Sequence, residues 1–327
     1  MTQRQQIFRI ASAAVLLTLA LTGCEAGPSG TGAFDRTLTV TSPLRLELAN
    51  TSGEISITGS TDGQVHIHAD IRASGRGFEK PEKRIQELVA NPPIELRGDT
   101  LRIGKETNRM RNASINYTIS VPHDTEVTIA ALSGSQTIRE IRGPLKAESA
   151  SGSIRAERIE RQTQLTTLSG GIDARDIGDD LRASTSSGAI VVTGVKGDAR
   201  LHNSSGSIRV SRVSGRIEGN SVSGLLEVQD ASKDVKAQTM SGTLTIQGNP
   251  ASASDWDLKT VSGGVTIRVA GATDFKFSAD ATSGEIRTDI PIVIEEQSKH
   301  SLRAHAGSGG GRIEVHTVSG NVRVGSS

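Results

Sequence analysis

The sequence predicts an all-β protein, a parallel β-solenoid (β-helix) of about 18-residue coils, with a β-rich N-terminal cap region that carries one short helix. Three observations predict it. First, Ser-Gly recurs at Ser133, Ser151, Ser169, Ser187, Ser205, Ser223 and Ser241, each eighteen places after the last, and then at Ser262, Ser283 and Ser319 after longer intervals. Repetition at a short fixed period marks a stacked architecture. Second, aliphatic residues keep step with it. Ile154, Ile172, Ile190 and Ile208 stand three places after the Ser, and Ala156, Ala174, Val192 and Val210 five places after, with mostly polar residues between. Such period-two alternation is a strand with one buried face. Third, 36 Gly, 9 Pro and 2% aromatic residues suit many turns and a core of small aliphatics.

The 327 residues allow one large domain or two ordinary ones. Residues 1–23 differ from the rest. Arg4 and Arg9 precede an uncharged run, Ile10 to Leu21, shorter than the ~20 apolar residues a spanning helix needs, in the layout of a secretory signal. The segment Leu21-Thr22-Gly23-Cys24 resembles the bacterial lipobox. That resemblance implies cleavage before Cys24, its acylation, and a lipoprotein anchored through it. By the same resemblance Glu25, in place of Asp, implies the outer membrane in a two-membrane cell. The expected location is therefore the envelope, as an exported, membrane-anchored lipoprotein of the outer membrane or cell surface. Cys24 is the one cysteine, so no internal disulfide forms. Removing residues 1–23 takes two of the 37 basic residues and none of the 36 acidic ones, a balance that gives no ground for nucleic-acid binding. Residues 24–35 read as a flexible tether.

Residues 36–132 hold the first coil and the N-terminal cap. Leu46, Leu48 and Asn50 precede Ser52, and Ile55 and Ile57 follow it, in the register of the later coils. Val65, Ile67, Ala69 and Ile71 then alternate with His66 and His68. Residues 79–90 read as an amphipathic helix, and Ile94 to Leu96, Leu101 to Ile103 and Tyr117 to Val121 as strands. This elaboration helps to cap an edge that would otherwise aggregate.

Residues 133–327 are the regular repeats. Before each Ser-Gly the inward positions are six, four and, more weakly, two places back, as in Val235, Ala237 and Thr239. Inward parity is even before the Ser-Gly and odd after it, so the step is a corner. Gly134, Gly152, Gly170, Gly188, Gly206, Gly224, Gly242, Gly263, Gly284 and Gly320 are the expected structural turn residues, since glycine takes backbone angles other residues resist. Ile159, Ile177, Val195 and Val213 add an apolar position eight after the Ser. An insertion, 289–311, precedes the last coil and ends in "GSGGGR", expected to be a mobile loop. A single coil buries too few aliphatics to offset its ordering entropy, so the coils must stack. Eleven corners, Ser52 included, give a rod about 50 Å long.

"LELANTSGEISITG", "YTISVP" and the tandem "SG-x-I-x-V" coils, together with the Cys24 segment, resemble the bacterial putative-adhesin domain family, a head-GIN-like β-solenoid, over roughly residues 36–324. The resemblance implies the fold and, through the family's name, surface attachment. It implies no catalytic or binding residues.

Chemistry-bearing clusters are sparse. A β-helical carbohydrate-active enzyme needs paired carboxylates; Asp179-Asp180 is the one tight acidic pair in the regular coils, and it falls in a turn where Asp is ordinary. His66-x-His68 is half of a metal site without sequence neighbours to complete it. His300, His305 and His316 lack regular spacing, and "GSGGGR" lacks the Lys-Ser/Thr of a phosphate loop. No catalytic residue, metal or cofactor is expected. Thirteen places after each Ser stand Lys146, Gln164, Arg182, Arg200, Glu218 and Lys236. Lys146, Arg182, Arg200 and Lys236 form a candidate stripe for anionic polymers such as lipopolysaccharide, or else a solvated face. The reading is a non-enzymatic, lipid-anchored envelope protein, an adhesin or scaffold, whose partners are the membrane through its lipid and an envelope glycan or partner protein. The alternatives are an accessory or sensor protein of envelope stress signalling, binding a partner through 289–311, and a carbohydrate-active enzyme.

Overall fold

The structure is a computed structural model that describes residues 29–40, 43–74, 80–104, 113–269 and 274–326. Cys24 and residues 1–28 lie outside the described residues. The strands form one continuous 27-stranded sheet wound into coils. Each coil is named below by the Ser of its corner.

The Ser151 coil shows the rule. Its strands Leu145–Ser151 and Ile154–Ile159 pair in parallel with the equivalent strands of the coils before and after it. Ile154, Ile172, Ile190 and Ile208 stack in register and are all buried. Ile190→Asp places an unpaired charge in this ladder and is expected to prevent stable folding. Arg209→Ser, on the outward face at 52% side-chain exposure, is expected to change stability by less than ~0.5 kcal/mol. Denaturant titration of both checks the assignment of faces; equal tolerance would invert it.

The odd spacing between the fifth and eighth positions has a local cause. Glu140, Arg158, Asp176, Arg212 and Asp230, all seven places after their Ser, have φ between 54° and 60°, and Gly194 has 79°. One left-handed residue per coil adds the extra step that lets both flanking aliphatics face the core. Three of the residues two places before a Ser also have a definite task. Thr167 Oγ1 donates to the Gly152 carbonyl (3.2 Å), Thr185 Oγ1 to Gly170 (3.1 Å) and Asn203 Nδ2 to Gly188 (2.8 Å). They satisfy corner carbonyls that no backbone group reaches, which is why these three positions are polar though buried; the buried hydroxyls of Ser149, Ser221, Thr239, Thr260 and Thr317, in the same column, make no such bond.

The order of coils in space is not their order in the chain. At the C-terminal end, Gly311–Ser319 pairs on one side with Asp255–Ser262 and on the other with Phe275–Ser283. Val322–Ser326 likewise lies between Val265–Val269 and Ile286–Thr288. The Ser319 coil, last in the sequence, is therefore inserted between the Ser262 and Ser283 coils. The N-terminal end repeats this. Arg45–Asn50 lies between Thr100–Ile103 and Glu126–Ser133, and Ile55–Ser60 between Ala113–Pro122 and Gln136–Ile141. Both terminal coils thereby gain hydrogen-bonded neighbours on two sides.

Antiparallel strands finish both ends. Gln64–Ser74 covers Ala113–Pro122, Ser29–Thr39 covers Gln64–Ser74, and the helix Pro81–Ala90 buries Ile85 and Leu88 beside them. At the other end Ser301–Ala306 covers Phe275–Ser283 and Val293–Gln297 covers Ser301–Ala306.

Two expectations need correction. The tether does not extend to residue 35: from Ser29 the chain is a strand, because the Gln64–Ser74 edge offers it an unsatisfied ladder. "GSGGGR" is not a free loop. Ser308 Oγ donates to Asp274 Oδ2 (2.7 Å), the Gly309 N–H donates to Oδ1, and Gly311 already begins a strand. These hydrogen bonds, that of Ser308 foremost, hold the Asp274 carboxyl below the usual carboxylate range.

Candidate functional site

Function must reside on outward columns, because the inward ones form the core. The column of Lys146, Gln164, Arg182, Arg200, Glu218 and Lys236 lies in register on neighbouring strands. Its charges are partly compensated. Lys146 meets Glu148 at 2.9 Å, and Arg200 lies 3.2 Å from Asp198, 3.6 Å from Asp180 and 3.9 Å from Glu218. Arg182 and Lys236 have no ion pair among the described residues. Of the acidic pair, Asp180 is a structural cap: its Oδ1 accepts from the Asp198 N–H (2.9 Å). Asp198 and Asp234 repeat that bond one coil further along, to Arg216 and Asp255.

The folded chain gives His66 and His68 carboxylate partners, of which Asp35 alone is distant in sequence. His66 Nε2 meets Asp62 (2.8 Å), while His68 Nδ1 meets Asp35 (2.8 Å) and its Nε2 meets Asp70 (3.5 Å). Asp35 arrives on the edge strand, directly opposite His68. Among the described residues, no group of three or more His, Cys, Asp or Glu is arranged to hold a metal ion. The Asp35 hydrogen bond, against a smaller desolvation effect, raises the His68 pKa above its ordinary 6.5. A raised folded-state pKa stabilises below the unfolded value and is lost as pH rises through the folded one. The edge strand Ser29–Thr39 is therefore expected to exchange its amides more slowly, once corrected for intrinsic rates, at pH 6 than at pH 8. His68→Gln should abolish the difference, as read by hydrogen exchange.

A concavity of about 770 Å³ lies on the outer side of the strands that precede the corners. One flank consists of residues three places before the Ser: Asn220, Gln238, Lys259 and His316, continued by His202 and Asp280. Along it runs a ridge one place before the Ser: Val222 (42% exposed), Met240 (59%), Val261 (49%) and Val318 (51%). Met240 faces Val261 across the pairing of their strands, and Val261 faces Val318. The hairpin turn at His300 and Ser301 closes the far end. Sequence reading missed this ridge. Its signal was present as aliphatic residues at an outward parity, but Val318 joins Val261 only through the inserted coil. A second groove, about 650 Å³, follows the left-handed residues and carries mixed charge, including Arg158 Nη2–Glu140 at 2.7 Å.

Parallel coils, glycine corners and antiparallel ends are the features by which this chain can be compared with others. The family model described as Toastrack DUF4097 matches residues 44–325. The chain belongs to the Toastrack DUF4097 family. Among solved structures the Toastrack chain is similar to a putative adhesin from Bacteroides fragilis, with 13% identity, 90% of this chain and 97% of that chain covered, and a TM-score of 0.33. It is also similar to a putative lipid binding protein from Parabacteroides distasonis (13% identity, 89% and 96% covered, TM-score 0.33) and a putative cell adhesion protein from Clostridium sporogenes (10%, 90% and 100%, 0.20). No curated protein matches it. No helix among the described residues of the Toastrack chain is long and apolar enough to cross a membrane.

Proposed function

We propose that this Toastrack protein is a non-enzymatic, lipid-anchored cell-envelope protein whose rod presents a binding surface, as an adhesin or scaffold. The supporting observation is polarity along the rod. Ser29–Thr39 is an edge strand at the N-terminal end, so Cys24, just ahead of it in the chain, ties that end to a membrane. The large groove lies toward the opposite end, among coils Ser205 to Ser283. A lipid at Cys24 holds the groove away from the bilayer. Cys24→Ser is expected to yield soluble, unacylated protein, and protease treatment of intact cells should release rod fragments from the parent. Continued membrane association of the variant would refute the anchor, and complete protection of the parent would refute surface presentation.

A second reading, an accessory protein that binds a partner through 289–311, is favoured by one observation. Val293 and Ile294, 59% and 48% exposed, sit on the outermost strand, whose other edge is unpaired among the described residues. A crosslinked partner lost on Val293→Ser/Ile294→Ser would support it; a partner retained would exclude that edge.

A further inference from the structure

We infer that the 770 Å³ groove is a site for an uncharged, linear glycan that lies along the rod axis with about one sugar per coil. This rests on the reading of the rod as a surface-presented binding module and names its ligand class.

Three features of the groove select that class. The first is periodicity. Each successive coil places one polar side chain on the flank, and four of them place an aliphatic one on the ridge, at the ~4.8 Å spacing of paired strands, so an occupant with a short linear repeat meets a polar and an aliphatic partner in step along its length. The second is charge. Lys259 Nζ is held by Asp257 Oδ2 (2.8 Å), and Asp280 adds a carboxylate to the flank, so an anionic ligand finds no unpaired cation there. The remaining flank groups, Asn220 and Gln238 with His202 and His316, are hydrogen-bonding side chains rather than fixed charges. A neutral, hydroxyl-rich ligand complements them, whereas an anionic polymer would find its free cations, Arg182 and Lys236, on the neighbouring column. The third is the amphipathic cross-section. The ridge of Val222, Met240, Val261 and Val318 offers an aliphatic surface to the C–H face of a sugar ring, while the amide flank addresses its hydroxyls.

A peptide strand does not fit this site. Asp255–Ser262 is paired on one side with Val235–Gly248 and on the other with Gly311–Ser319, so the groove floor has no free backbone edge for strand addition.

The test is calorimetric titration of the purified chain with chitohexaose and cellohexaose, with chitobiose for length and dextran sulfate as the anionic comparison. Binding of at least one hexasaccharide is expected, tighter than the disaccharide by tenfold or more. Met240→Glu/Val261→Glu should weaken it at least tenfold at an unchanged thermal midpoint. Leu168→Glu, in the same exposed column but outside the groove, should bind as the parent does. The inference is overturned if neither hexasaccharide binds, if length has no effect, if the double variant binds equally well, or if dextran sulfate alone binds. The assay uses protein in solution, so its failure leaves surface exposure and the Cys24 anchor untouched; those fail separately, in the protease and fractionation experiments.

Discussion

Gly170→Ala is expected to cost about 3–5 kcal/mol, while Gly171→Ala, at the next residue, should be nearly silent. Gly170 has φ +148°, where side chains other than hydrogen are strained, and an added Cβ would fall well under 3.0 Å from the Gly152 carbonyl of the coil below. Neither the corner nor the stacked peptide can yield without breaking the ladder, since the Gly152 N–H donates to Ser169 O at 2.9 Å. Gly171 has no such angle, and its Cβ would meet only Ala189 O at 3.5 Å, an ordinary contact. The same glycine-on-glycine contact runs from Gly53 through Gly134 to Gly242, then Gly263, Gly320 and Gly284. Urea titration of the two variants checks this. Similar midpoints would mean that corner glycines are dispensable.

The second large effect concerns the inserted coil. Removing residues 311–327 is expected to unfold the C-terminal part of the rod as a unit. Ile313, Val315, Val322 and Val324 are all buried there, at 0–1% exposure. At roughly 1.5–3 kcal/mol per buried aliphatic their removal costs about 6–12 kcal/mol, comparable with the whole stability of a domain of about 5–15 kcal/mol. The Ser262 coil would lose one of its two neighbours and the Ser283 coil its only parallel one. Trp256, the sole tryptophan, is fully buried between the Ser241 and Ser319 coils, so its emission reports the event directly. A red shift on truncation is expected. An unshifted spectrum would mean that the Ser283 coil stacks on Trp256 instead, with the coils in chain order.

Much of the rod was legible because a solenoid writes its main contacts at one sequence separation. The Ile154 column, the corner glycines and the Ser52 coil, far upstream of the next corner at Ser133, were all readable from periodicity. Thr167, Thr185 and Asn203, two places before the Ser, read only as weak apolar alternation, since their role depends on a carbonyl in another coil. The left-handed residue seven places after the Ser was visible only as an unexplained change of spacing. The groove was the least legible. Its ridge needs Val261 and Val318 to be neighbours, and in the chain the whole Ser283 coil and the 289–311 insertion stand between them. The nearer carboxylate partner of His68 was hidden for the same reason: Asp35 arrives by antiparallel pairing of an edge strand, which no repeat encodes.

The repeat alone specified the coil: its period, its buried columns and the glycine at its corner. These follow from packing between equivalent residues, which the repeat spells out. Which coils meet at the two ends was settled only in the folded chain, and with that the continuity of the exposed ridge and the burial of both terminal coils. The edge of the Ser262 coil presents the same pattern to the Ser283 and Ser319 coils. The choice between them rests on the total of hydrogen-bonded edges satisfied once every end strand has found its place.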